Sequence, residues 1–142
     1  MTPLMRNILA LFVAALISYI IGTALSTIFV LRAIPADIPL GTYASTIFGD
    51  LKGQKAYFAV IMIGFIVAFP IAAILRKYLT KIAKLGYPLA GAVAIGTALG
   101  LMYLKYETVP FSGARSTLGF IAQLITGAIG GAVFARLQKP LK

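Results

Sequence analysis

The chain has 142 residues, 61% hydrophobic and 11% charged, with a mean hydropathy of +0.99 and a formal net charge of +10. A soluble domain averages nearer 25% charged, and a water-soluble fold of this length cannot hide so much apolar surface, whereas lipid removes the need to. Cys and His are absent. Their absence excludes disulfides, the usual zinc sites, iron–sulfur clusters, His-ligated haem, thiol nucleophiles and histidine general bases, so no cofactor or metal is expected.

The charges fall so as to leave four gaps. Residues 7–31 carry no charge over 25 positions, and 56–75, 85–104 and 116–135 carry none over 20 each. A helix rises about 1.5 Å per residue, so about 20 residues cross the roughly 30 Å hydrocarbon core of a bilayer. This pattern predicts one all-α domain covering 1–142, a bundle of four transmembrane helices at about 8–31, 56–78, 86–104 and 116–136.

The first predicted helix follows Arg6 and reaches Leu31. A cleaved signal peptide has an apolar run of about 7–15 residues; this run is far longer, so a retained helix is expected. Its small residues Ala14, Ser18, Gly22 and Ser26 recur at spacing four, with Thr23 beside them. Residues 33–54 then form the longest connection, broken by Pro35, Pro39, Gly41, Gly49 and Gly53. Within it 42–51 suits a short helix lying on the membrane, apolar through Tyr43, Ile47, Phe48 and Leu51. Long connections are more often functional than filler, and this one is either functional or a plain connector.

The second predicted helix carries Gly64, Ala68 and Ala72 and is interrupted by Pro70, which removes one amide donor. Pro70 reads as a static kink or a gating hinge. A short basic connection follows, with Arg76, Lys77, Lys81 and Lys84 placed to meet anionic lipid headgroups or a partner's acids. The third helix repeats the small-residue stripe as Ala92, Gly96 and Gly100, with Thr97 adjacent. A tight connection over 106–114 holds Pro110 and Gly113.

The fourth helix bears Gly119, Gln123, Gly127 and Gly131. Gln123 is the most polar group at membrane depth. Unmet polar groups in hydrocarbon cost several kcal/mol, so it needs partners. Thr126 and Gly127 share its face, and Thr23 or Thr97 could face it across the bundle. Interhelical adhesion and a solute contact are the two readings. Small residues on one face let helices approach closely where no hydrophobic force drives them together. Read otherwise, Ser18, Gly22, Thr23, Ser26, Gly96, Thr97, Gly100, Gln123, Thr126, Gly127 and Gly131 line a narrow solute path.

Charge asymmetry orients the chain. Alternate ends hold Arg6, Arg76, Lys77, Lys81, Lys84, Arg136, Lys139 and Lys142 with no acid, against five basic and three acidic residues (Asp37, Asp50, Glu107) opposite. By the positive-inside rule both termini are cytoplasmic. The net charge therefore points to anionic headgroups rather than to nucleic acid. Tyr57, Phe58, Tyr103, Tyr106 and Phe111 at outer ends, and Tyr78 and Tyr87 at inner ones, suit an aromatic belt with wet hydroxyls. Two short echoes, 21–25 against 95–99 and 64–66 against 119–121, fit a duplicated hairpin or chance recurrence.

No ionisable residue lies inside any span, which argues against proton- or sodium-coupled transport. Asp37, Asp50 and Glu107 either meet to bind a cation or act as solvated loop charges. The expected function is a non-catalytic subunit of a prokaryotic inner or plasma membrane that packs as a homo-oligomer or against a membrane protein partner. An uncoupled channel or facilitator is the alternative, and a lipid-modifying enzyme a third reading.

Overall fold

A computed structural model describes residues 2–107 and 116–138. Among these residues the structure is all-helical: α1 (Pro3–Arg32), α2 (Leu40–Gly53), α3 (Lys55–Tyr78), α4 (Gly86–Tyr106) and α5 (Thr117–Gln138). A 3-10 segment, Thr80–Leu85, joins α3 to α4. Four of these stretches, α1, α3, α4 with its 3-10 lead-in, and α5, are long and apolar enough to cross a membrane. The expected turn at Pro110 and Gly113, with Phe111, Arg115, Lys139 and Lys142, lies outside the described residues.

Local signals set the ends. The Thr2 hydroxyl accepts the Met5 amide and Pro3 opens α1, so this helix starts five residues before the expected boundary. At 30 residues α1 is about 45 Å long, and Arg6 sits within its second turn. Ser116 caps α5 by accepting the Gly119 amide at 3.0 Å. α3 continues as helix through Pro70, whose ring is on an exposed face. α2 exceeds the expected 42–51 at both ends, and its Tyr43, Ile47 and Leu51 are half-buried while Phe48 stays 66% exposed.

Neighbouring spans run antiparallel. Ser18 and Gly22 on α1 meet Thr126 and Gln123 on α5, and Gly91 and Tyr87 on α4 meet Gly127 and Gly131 on α5. Gly64 on α3 faces Ala94 on α4, where a Cβ would sit 3.4 Å from the alanine methyl. These contacts join residues close to the midpoints of the four charge-free gaps, near Tyr19, Phe65, Ala94 and Ile125.

Side-chain size is distributed opposite to a soluble core. α1 buries Ala10, Ala14, Ala15, Ser18, Gly22 and Ser26 and turns Leu9, Phe12, Leu16 and Ile20 outward. α3 and α4 likewise expose Ile63, Val67, Ile71 and Val93 at more than half of their full area. Water would penalise each such side chain by roughly 1.5–3 kcal/mol relative to burial, and lipid does not. Bulky interior groups run the length of the bundle, and an aromatic group forms toward the basic end. There Phe69 stacks on Phe65 at 4.6 Å and on Phe134 at 4.5 Å, and Tyr87 meets Phe134 edge-on at 5.0 Å.

Candidate functional site

The glycines of α5 fix how closely the helices approach. A Cβ on Gly127 would collide with the Gly91 carbonyl, and one on Gly131 with the Tyr87 carbonyl. Gly130 presses against the Ser18 hydroxyl and the Phe65 ring. Backbone thus lies on backbone along the α4–α5 seam, an approach open only to residues without side chains.

This closeness brings a polar cluster together. Gln123 is buried, 2% exposed. Its Nε2 donates to the Gly22 carbonyl at 3.0 Å, and its Oε1 accepts from the Tyr57 hydroxyl at 2.7 Å. One helical turn on, the Thr126 hydroxyl donates to the Gln123 carbonyl at 2.7 Å, and the Ser18 hydroxyl donates to the Thr126 carbonyl at 2.9 Å. α1, α3 and α5 are tied at one level. A Cβ on Gly22 would stand 2.8 Å from the glutamine oxygen, so this glycine makes room for an amide rather than for a helix.

Several expected placements are corrected. Neither Thr23 nor Thr97 bonds Gln123. The Thr23 hydroxyl is fully buried and lacks a hydrogen-bond partner, while Thr97 is exposed and lines the outside of the α3–α4 pair. Tyr57 and Tyr87 are each 3% exposed, with rings turned into the bundle rather than toward the headgroups. Rotation about the helix axis, not closeness to a charged end, decided this. Gly96 lies against Leu124, a Cβ on Gly100 would meet nothing within 4 Å, and Ser26 is buried. The presumed path residues are therefore divided between a closed interior and an outer face.

Away from the cluster, α2 is held to α1 by polar bonds. The Thr27 hydroxyl donates to the Asp50 carboxylate at 2.5 Å and the Tyr19 hydroxyl donates to the Leu51 carbonyl at 2.5 Å. Asp50 is thus taken up locally, while Asp37 and Glu107 are exposed. Among the described residues no group of three acidic residues converges to hold a metal. Glu107 caps α4 in the left-handed region at φ 58°.

At the basic end, Arg76 does not extend freely. Its stem crosses Gly86, where a Cβ would come within 2.7 Å of Cγ, its Nε donates to the Ala83 carbonyl at 2.8 Å, and its guanidinium lies 4.6 Å from the Tyr87 ring centre. Lys77, Lys81 and Lys84 are exposed around it. The sequence signalled the basic cluster but gave no sign of this anchoring, which depends on the 3-10 turn. No known protein family, no curated protein and no solved structure matches the chain.

Proposed function

We propose that the chain is a four-pass membrane subunit with no catalytic activity of its own, which works by packing against further copies or a larger membrane assembly. In this reading both termini and the Arg76–Lys84 connection face the cytoplasm, and α2 rests at the outer surface of a prokaryotic inner or plasma membrane. The observation that carries it is the use of the mid-depth polar atoms. Gln123 is satisfied by Gly22 and Tyr57, and the glycines beside it are filled by neighbouring backbone. Such an interior resembles adhesion between helices more than a route for solute. The dispersed carboxylates likewise supply no acid–base pair.

A facilitator draws support only from the Thr23 hydroxyl and would require the α4–α5 seam to part. Native mass spectrometry after gentle detergent extraction tests the proposal. A homo-oligomer or a stoichiometric membrane partner is expected, and a bare monomer across mild detergents overturns it. Flux of water or small neutral solutes through proteoliposomes, abolished by Gly127→Leu, would favour the facilitator instead.

A further inference from the structure

A concavity of about 760 Å³ opens outward between α3 and α4. Gly64, Ala68 and Ala72 from α3 and Ala90, Ala94 and Ala98 from α4 floor it. Exposed Val67, Ile71, Leu89 and Val93 wall it. From Val60 to Leu75 it runs about 22 Å along the helix, longer than the roughly 15 Å of one leaflet's hydrocarbon. At its basic end stands Arg76.

Three properties identify an occupant. The floor is already closed by Gly64 against Ala94, so the groove is shallow and suits a flexible chain better than a whole helix about 10 Å across. Arg76 is held in place by Ala83, Gly86 and Tyr87, and its bond to Ala83 uses only one of five guanidinium N–H donors. Among the described residues, the end of the molecule to which Arg76 belongs also holds Arg6, Lys77, Lys81, Lys84 and Arg136 and no acid. Neutralising charge must therefore come from another molecule.

From this geometry we infer that the α3–α4 groove is a specific site for one anionic glycerophospholipid. Its phosphate sits on Arg76, helped by Lys77 and Lys81, and one acyl tail lies along the small-residue floor. A fixed, forked cation suits a phosphate better than a mobile lysine does. The site stands whether or not the chain associates with other subunits.

Native mass spectrometry of the full chain, titrated with phosphatidylglycerol or phosphatidylcholine of matched tails, tests it. One tightly retained phosphatidylglycerol is expected, favoured at least 5-fold over phosphatidylcholine. Arg76→Ala should lower phosphatidylglycerol retention about 5-fold, in line with about 1 kcal/mol per basic residue at an anionic surface, and leave phosphatidylcholine unchanged. Ala68→Leu and Ala90→Leu, which fill the floor and keep every charge, should lower retention of both lipids. Lys105→Ala at the far end should change neither. Equal retention of the two lipids overturns the proposal, as does retention indifferent to both Arg76→Ala and the floor variants. A dimer that Ala90→Leu converts to monomer would assign the groove to a second copy and overturn it as well.

Discussion

Replacing Gly127 by alanine is the most direct test of the close α4–α5 seam. The new methyl would overlap the Gly91 carbonyl, meet its carbon at 2.7 Å and stand 3.0 Å from the Ile95 Cδ1. Two of these three atoms are backbone of a helix that cannot rotate away, so α4 and α5 must separate by about 1 Å. Overpacking of this kind costs about 1–3 kcal/mol. A gap of that width along the seam also forfeits a quarter to a half of each dispersion contact it opens. Together these predict a loss of about 2–4 kcal/mol, against a helix-propensity gain of at most about 1 kcal/mol for alanine over glycine. Gly100→Ala is the matched control, since its methyl meets nothing within 4 Å and only the propensity gain remains. Stability is read from the monodisperse fraction surviving a heating series in detergent, scored by size-exclusion chromatography. Gly127→Ala should fall well below the parent and Gly100→Ala should equal or exceed it. If the two variants behave alike, the seam is not built on backbone contact and the fold described above is wrong there.

Gln123→Leu should destabilise the bundle by about 1–2 kcal/mol, since interhelical hydrogen bonds in membranes contribute about 0.6–2 kcal/mol each. Tyr57→Phe should cost less, and the double variant should reveal coupling when the same heating series is compared. Thr23→Val is expected to leave stability unchanged or raise it by about 1 kcal/mol, because it removes a buried hydroxyl that has no partner at nearly constant volume; a marked loss would mean the hydroxyl is bonded. Thr27→Val should loosen α2 on α1, leaving the Tyr19–Leu51 bond, and speed amide exchange over 40–53 in hydrogen-exchange mass spectrometry, with α5 unaffected. The absence of cysteine makes topology testable by single substitutions. Thr46→Cys should react with an impermeant maleimide from outside intact cells and Lys81→Cys only after lysis, and the reverse pattern would invert the assigned orientation.

The spans were legible because lipid imposes a crude rule. A charge inside hydrocarbon is costly, so Lys55, Arg76, Lys84, Lys105 and Arg136 mark the edges of helices that the structure places within a few residues of them. The small-residue stripes were legible too, as permission for close approach. What they approach was not. Gly22 makes room for an amide, Gly127 for a carbonyl and Gly100 for nothing among the described residues, although all three occupy the same spacing pattern. Those differences depend on helix rotation, which a strong apolar moment would have fixed in water. Here every face of a span is apolar, so local sequence leaves rotation nearly free. The observed rotations bring Gln123 to Tyr57 and Gly22, and set the α5 glycines against the α4 backbone. Gln123 finds its partners 66 and 101 residues away, on α3 and α1, and pairings at that separation have no periodic signature. The same physics separates the chain's two polar regions. Gln123 is buried and bonded within the bundle, so its cluster is closed. Arg76, by contrast, is fixed by its own chain at a helix end, and its bond to Ala83 leaves other guanidinium donors unused among the described residues. Chemistry directed outward is therefore to be sought at the ends of the helices and along the α3–α4 groove, not at the centre of the bundle.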